Sequence, residues 1–219
     1  MATFPGLVVK KVGMSRMVDV QGNMIAVTLL QVDNQKVTKI LTPERDGYHG
    51  IQVGYYTKPE FRLSKADVGR LRKVKVEDNF CLFREFRLEQ PIEGLEVGHP
   101  LTMTGLEKVT AVDVVGITKG RGFQGAIKKH GSKIGRMTHG SMYHRRTGSL
   151  GSNTTPARVI KNKKMPGHLG TDQRTVQNLK VVDIDTKNNV IALRGSVPGY
   201  SEGYLVIKPS IKAKPVKAD

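Results

Sequence analysis

From Val114 to Thr171 the chain runs for 58 residues without one Asp or Glu, and every formal charge in that run is positive. It holds twelve basic side chains: Lys119, Arg121, Lys128, Lys129, Lys133, Arg136, Arg145, Arg146, Arg158, Lys161, Lys163 and Lys164. Eleven glycines fall between Gly116 and Gly170. A glycine at about every fifth position forbids a long helix and lets backbone approach a partner closely. The run therefore reads as an extended arm without a core of its own, which becomes ordered when it enters a folded partner.

Charge says what that partner is made of. The chain has 36 Lys and Arg against 19 Asp and Glu, a formal net charge of +17. Once the twelve bases of the run are set aside, the other 161 residues keep 24 bases and all 19 acids, a balance of only +5. At that acid density the run would contain about seven carboxylates, and their complete absence is more than a solvated basic face requires. A polyanion accounts for it. A carboxylate beside phosphate is desolvated against like charge, whereas each Lys or Arg releases a condensed counterion. Four of the six histidines, His130, His139, His144 and His168, lie in the same run. With no Cys, Asp or Glu there to complete a metal site, the arm's imidazoles read as hydrogen-bonding groups for phosphate or base. Phe123 and Tyr143 are its only aromatics, too few for a repeated stacking platform, so phosphate and shape contacts dominate. Arg145 to Pro156 lies between two basic, glycine-punctuated limbs and reads as the arm's tip, where Gly148, Ser149, Gly151, Ser152 and Asn153 are small enough for close approach to a nucleic-acid backbone.

Outside the arm the pattern is β. Leu7 to Val12 and Met17 to Val20 are short strand-like runs, and Gln21-Gly22-Asn23 turns the chain into Met24 to Val32, where Ile25, Val27 and Leu29 alternate. Lys36 to Leu41 and Ile51 to Tyr55 form a second hairpin through Asp46-Gly47. Ser64-Lys65-Ala66-Asp67 opens the one expected helix. Val74 to Leu88 returns to strand, with Phe80, Leu82 and Phe86 offered to a core, and Val109 to Thr118 leads into the arm. Thr175 to Ile184, Val190 to Arg194 and Tyr204 to Ile207 follow it. Strands on both sides of a long non-core insertion point to one closed all-β barrel with little helix, discontinuous in sequence. The expected division is residues 1–115 and 172–209 for the barrel, 116–171 for the arm and 210–219 for a basic tail.

Several functions find no support. No apolar run approaches the ~20 residues of a bilayer span, and the first residues lack a signal or transit pattern, so a cytoplasmic protein without membrane association is expected. Cys81 is the only cysteine, which precludes an internal disulfide, and in Phe80-Cys81-Leu82-Phe83 it reads as a small buried hydrophobe. Gly120-Arg121-Gly122-Phe123-Gln124-Gly125 matches G-x-G-x-x-G. Gly131 and Gly135 interrupt the helix that a dinucleotide site needs, however, and Arg145 and Arg146 stand where a ribose-binding acid belongs. The residues imply no cofactor, metal or small-molecule substrate. They leave open a nucleic-acid-binding protein of another kind, including a DNA-compacting one, and more weakly a nucleotide-dependent enzyme.

The run Leu106, Asp113, Gly116, Thr118, Gly120-Arg121-Gly122 and Gly125 resembles the signature of the bacterial large-subunit ribosomal protein three family, with Lys129 where that signature ends in Arg. Further similarity lies in His139-Gly140-Ser141, His144-Arg145, Gly148-Ser149, Lys163-Lys164-Met165 and Arg174-Thr175-Val176-Gln177-Asn178-Leu179. The resemblance implies a six-stranded barrel of the translation-factor type and an arm driven through ribosomal RNA toward the peptidyl transferase centre. It further implies a primary rRNA-binding protein that starts assembly near the 3′ end of the large-subunit RNA, beside ribosomal proteins fourteen and nineteen. Some bacterial relatives carry a methylated Gln near the tip, where this chain has Ser152.

Overall fold

The computed structural model describes residues 6–19, 21–92, 94–106 and 109–213. In chain order the elements are β1 (Leu7–Val18), β2 (Met24–Gln31), β3 (Gln35–Leu41), α1 (Pro43–Asp46), β4 (Gly50–Thr57), α2 (Lys65–Lys73), β5 (Phe80–Arg87) and β6 (Ala111–Ile117). Then come β7 (Phe123–Gln124), α3 (Ala126–His130), β8 (Gly167–His168), β9 (Gln173–Asp185), β10 (Val190–Arg194) and β11 (Tyr204–Pro209). The chain divides into two compact units, one of Met1–Gly116 with Arg174–Asp219 and one of Ile117–Gln173.

In the first unit six strands close a barrel in the order β1-β11-β6-β9-β10-β2. Period-2 alternation sends Leu7 and Val9, Val112 and Val114, Ile191 and Leu193, and Leu205 and Ile207 into one core. Each such side chain, fully buried, contributes about 1.5–3 kcal/mol. The first residues of β1 are buried on both faces, and β11 is buried inward and half-buried outward at Tyr204 and Val206. Val8 pairs in register with Val206, and both pack against Val37, Ile51, Val53 and Phe86 of a second, three-stranded sheet ordered β3-β4-β5. That sheet corrects the single-barrel expectation: the strands of residues 35–87 pair with one another and cover the barrel's outer side.

The buried side-chain amide of Gln35 joins the two sheets. Val8 N donates to its Oε1 at 3.1 Å and its Nε2 donates to Val8 O at 3.1 Å. The amide thus completes a backbone-like pair that no neighbouring strand supplies. Gln35→Leu strands one donor and one acceptor in the core, each at about 1–3 kcal/mol, and is expected to lower unfolding free energy by roughly 2–5 kcal/mol in urea titration. An unchanged urea midpoint would contradict this role. Nearby, the Tyr204 hydroxyl donates to Asp33 Oδ2 at 3.0 Å, and burial together with that bond pushes its pKa far above the ordinary phenol range.

Local structure departs from the sequence reading in identifiable places. The two runs at residues 7–20 are one strand, β1, carried across a register shift between Lys11 and Gly13. Val20 lies outside the described residues. The hairpin to β2 forms as expected, with Met17 opposite Ile25 and Val18 opposite Met24. Alternation in β2 breaks at Thr28, which is buried and donates to Gly195 O at 2.6 Å, so Leu30 rather than Leu29 enters the core. Strand β5 begins only at Phe80, because residues 74–79 close α2. In that closure Val74 N reaches Leu71 O and Lys75 takes a φ of +57°. Phe80 and Phe86 are buried, but Leu82 is exposed and Cys81 half-buried.

Helix α2 starts as expected, with Asp67 N donating to Ser64 Oγ at 3.2 Å. Among the described residues it is joined by two further short α-helices, α1 and α3, and by single 3-10 turns at Glu60–Arg62 and Met103–Gly105, where the sequence reading has one helix. Pro43 at the first turn and Gly47, at φ +81°, bracket α1. No helix among the described residues is long and apolar enough to cross a membrane. Of the basic tail, residues 214–219 lie outside the described part.

Candidate nucleic-acid interface

Residues 117–173 are not extended throughout. Their base is a hydrogen-bonded stem. Thr118 N donates to Asp172 O at 2.9 Å, Arg121 N to Leu169 O at 2.9 Å and Leu169 N to Gly122 O at 3.0 Å, while Phe123 and Gln124 of β7 face His168 and Gly167 of β8. Helix α3 follows and stops where Gly131 takes a φ of +68° and donates its N–H back to Ile127 O. Five residues of helix after G-x-G-x-x-G are too few for the long crossover helix of a dinucleotide fold. His130 Nε2 reaches Met165 O at 3.0 Å and ties the helix to the returning limb.

Beyond the stem, residues 135–144 close an inner loop. Gly135 N donates to His144 O at 3.0 Å, and His144 Nδ1 lies 3.1 Å from Arg136 O. A carbonyl only accepts, so in this contact Nδ1 donates. In the segment expected to form the tip, the Ser149 hydroxyl donates to Gly151 O at 2.9 Å.

Of the fourteen side chains read as phosphate- or base-binding, Lys119, Arg121, Lys128, Lys133, Arg136, His139, Arg145, Arg146, Arg158, Lys161, Lys163 and Lys164 are exposed, and Lys129 and His144 are half-buried. The residues expected at the tip, Gly148, Ser149, Gly151, Ser152 and Asn153, are exposed as well. Among the described residues the ion pairs are Lys36 with Asp78, Lys39 with Asp46, Arg70 with Asp67 and Arg72 with Glu60, none of them in 117–173. Apart from half-buried Lys129, the basic side chains of this unit thus stand in solvent, and none is in an ion pair among the described residues. No group of acids, His and Cys among the described residues is arranged to hold a metal.

Sequence reading missed the arm's apolar surface. Met137, Met142 and Ile160 are exposed, Met142 at 92%. The available signal was apolar residues scattered without helical or strand period in a segment that has no core to bury them. Such side chains suit contact with sugar and base faces.

A family model described as ribosomal protein L3 matches residues 93–190, which include the whole 117–173 unit. The large ribosomal subunit protein uL3 of Shewanella denitrificans is 44% identical over 209 residues, 95% of this chain and 99% of that protein. The chain belongs to the uL3 family. The uL3 protein of Desulfitobacterium hafniense is likewise 44% identical over 209 residues, covering 95% of this chain and 97% of its own length. Membership in uL3, a family of ribosomal structural proteins and not of enzymes, decides against the nucleotide-dependent enzyme and the DNA-compacting protein that composition left open. It also gives a structural context to Asp113, one of the residues that carry the uL3 resemblance. This carboxylate is buried in β6 and accepts the Asn178 N–H of β9 at 2.8 Å, which fastens together the two strands that lead into and out of residues 117–173.

Proposed function

We propose that this uL3 protein is a cytoplasmic structural constituent of the large ribosomal subunit that binds the subunit's rRNA through residues 116–171. One observation carries the reading: a unit without Asp or Glu from residue 117 to 171 presents nearly all of its cations to solvent, in no ion pair among the described residues. Phosphate supplies the missing negative charge, and the scattered exposed methionines and isoleucines supply contact with sugars and bases. On this reading the protein binds near the 3′ end of the large-subunit rRNA and starts assembly there. It lies beside ribosomal proteins fourteen and nineteen and sends the arm toward the peptidyl transferase centre, with 145–156 as the tip. The barrel, of the translation-factor type, anchors the arm. Support for these finer points is the similarity to uL3 proteins over nearly the whole chain. Co-sedimentation of the tagged chain with large subunits tests the first step, and its absence from that fraction would refute it.

The tip assignment has its own test. A β-carbon on Gly151 meets nothing closer than Arg158 O at 3.6 Å, so Gly151→Val is expected to leave the melting temperature of the free protein and its affinity for an rRNA fragment nearly unchanged. Reconstituted large subunits carrying it are expected to show impaired late maturation or peptide-bond formation. Fully active subunits would contradict the tip's placement against RNA.

A further inference from the structure

The three-stranded sheet packs one face on the barrel and leaves the other only partly covered by α2, through Leu71, Phe80 and Phe83. Beside the helix lies an open cleft of about 400 Å³, to which Arg45, Arg70 and Lys73 contribute. Across Gln52 and Phe83 it continues into a second depression of about 490 Å³ that contains Tyr48 and Arg87. In each depression a guanidinium lies over an aromatic ring, Arg70 at 3.8 Å from the centroid of Phe83, which borders both, and Arg87 at 4.6 Å from that of Tyr48.

The acids bordering this groove are engaged. Asp46 accepts from Lys39 at 2.7 Å, Asp67 from Arg70 at 3.4 Å, and Glu85 from Tyr48 at 2.9 Å and Gln52 at 3.2 Å. Arg45, Lys73 and Arg87 are exposed and make no ion pair among the described residues. Unpaired cations alone would suit any polyanion. Cations beside guanidinium-capped rings in one groove suit a polyanion whose repeating unit is a phosphate and a flat base, because planar guanidinium groups and aromatic faces both stack on nucleobases.

We infer that this groove is a second RNA-binding surface, which takes an unpaired segment of the large-subunit rRNA independently of residues 117–173. The inference rests on the rRNA-binding reading above. Phosphates sit against Arg45 and Lys73, and bases stack on the Arg70–Phe83 and Arg87–Tyr48 pairs.

The test uses the full chain and large-subunit rRNA. The triple variant Arg45→Gln, Lys73→Gln, Arg87→Gln disrupts no ion pair among the described residues and removes only the stacking of exposed Arg87 on Tyr48, so its melting temperature is expected to change little. The slope of log K against log salt should become shallower by about two, at roughly 0.7–0.9 for each phosphate no longer neutralised. A second measurement does not depend on variants: irradiation of the wild-type complex at short ultraviolet wavelength, followed by peptide mapping, should place a ribonucleotide on the peptide containing Tyr48 or Phe83. An unchanged slope together with no nucleotide on either peptide overturns the second surface, as does saturation of the groove by an acidic protein neighbour in intact subunits. Neutralising the arm separates the two readings. If that variant loses affinity while the triple variant does not, only this inference fails, and if neither loses affinity the rRNA reading fails with it.

Discussion

Replacing Arg145, Arg146, Arg158, Lys161, Lys163 and Lys164 together by Gln is expected to weaken binding to large-subunit rRNA by roughly 10² to 10³ at ~0.1 M salt, the counterion-release value if about half of them neutralise a phosphate. All six are exposed and none takes part in an ion pair among the described residues, so their loss removes nothing from the folded protein's own interactions. Urea unfolding of the free variant should therefore match that of the parent. A loss of less than tenfold would mean that these cations do not face phosphate in the complex.

The second large effect concerns the root of the arm. Gly170 takes a φ of +85°, and a β-carbon there would overlap the Lys119 carbonyl oxygen and come within 2.9 Å of the Gly120 Cα. Gly170→Val carries about 1–3 kcal/mol of backbone strain in addition to that overlap, and a β-branched residue is among the worst suited to positive φ. The stem pairs 118 with 172 and 121 with 169, so it should open. Proteolysis within residues 119–170 is expected to accelerate at least tenfold and rRNA affinity to fall, while the barrel keeps its cooperative unfolding. Equal protease resistance in variant and parent would show that the stem tolerates the displacement.

What could be read from the sequence follows from what leaves a mark on composition or period. The acid deficit of 114–171 marks the basic segment, because charge depletion is a compositional fact that needs no fold. The β1–β2 hairpin and the helix start at Ser64 were legible because turn and cap chemistry is local. Tertiary packing was not. β3, β4 and β5 have the same strand pattern as the barrel strands, and only the pairing of Val8 and Val206 against Ile51, Val53 and Phe86 puts them in a separate sheet. Neither Gln35 standing in for a strand backbone nor Thr28 breaking the alternation of β2 has a one-dimensional signature, since each depends on a partner 27 or 167 residues away. The stem of the arm escaped notice for a related reason. Its pairs join residues about fifty apart through glycines that, read singly, signal only irregular chain.

Binding of rRNA by residues 117–173, chiefly through phosphate, is tested most directly by the affinity of the full chain for its large-subunit rRNA fragment between ~50 and ~200 mM salt. If about half of the twelve basic side chains touch phosphate, log K should fall against log salt with a slope near −4 to −5; a slope shallower than about −2 would contradict phosphate-dominated binding.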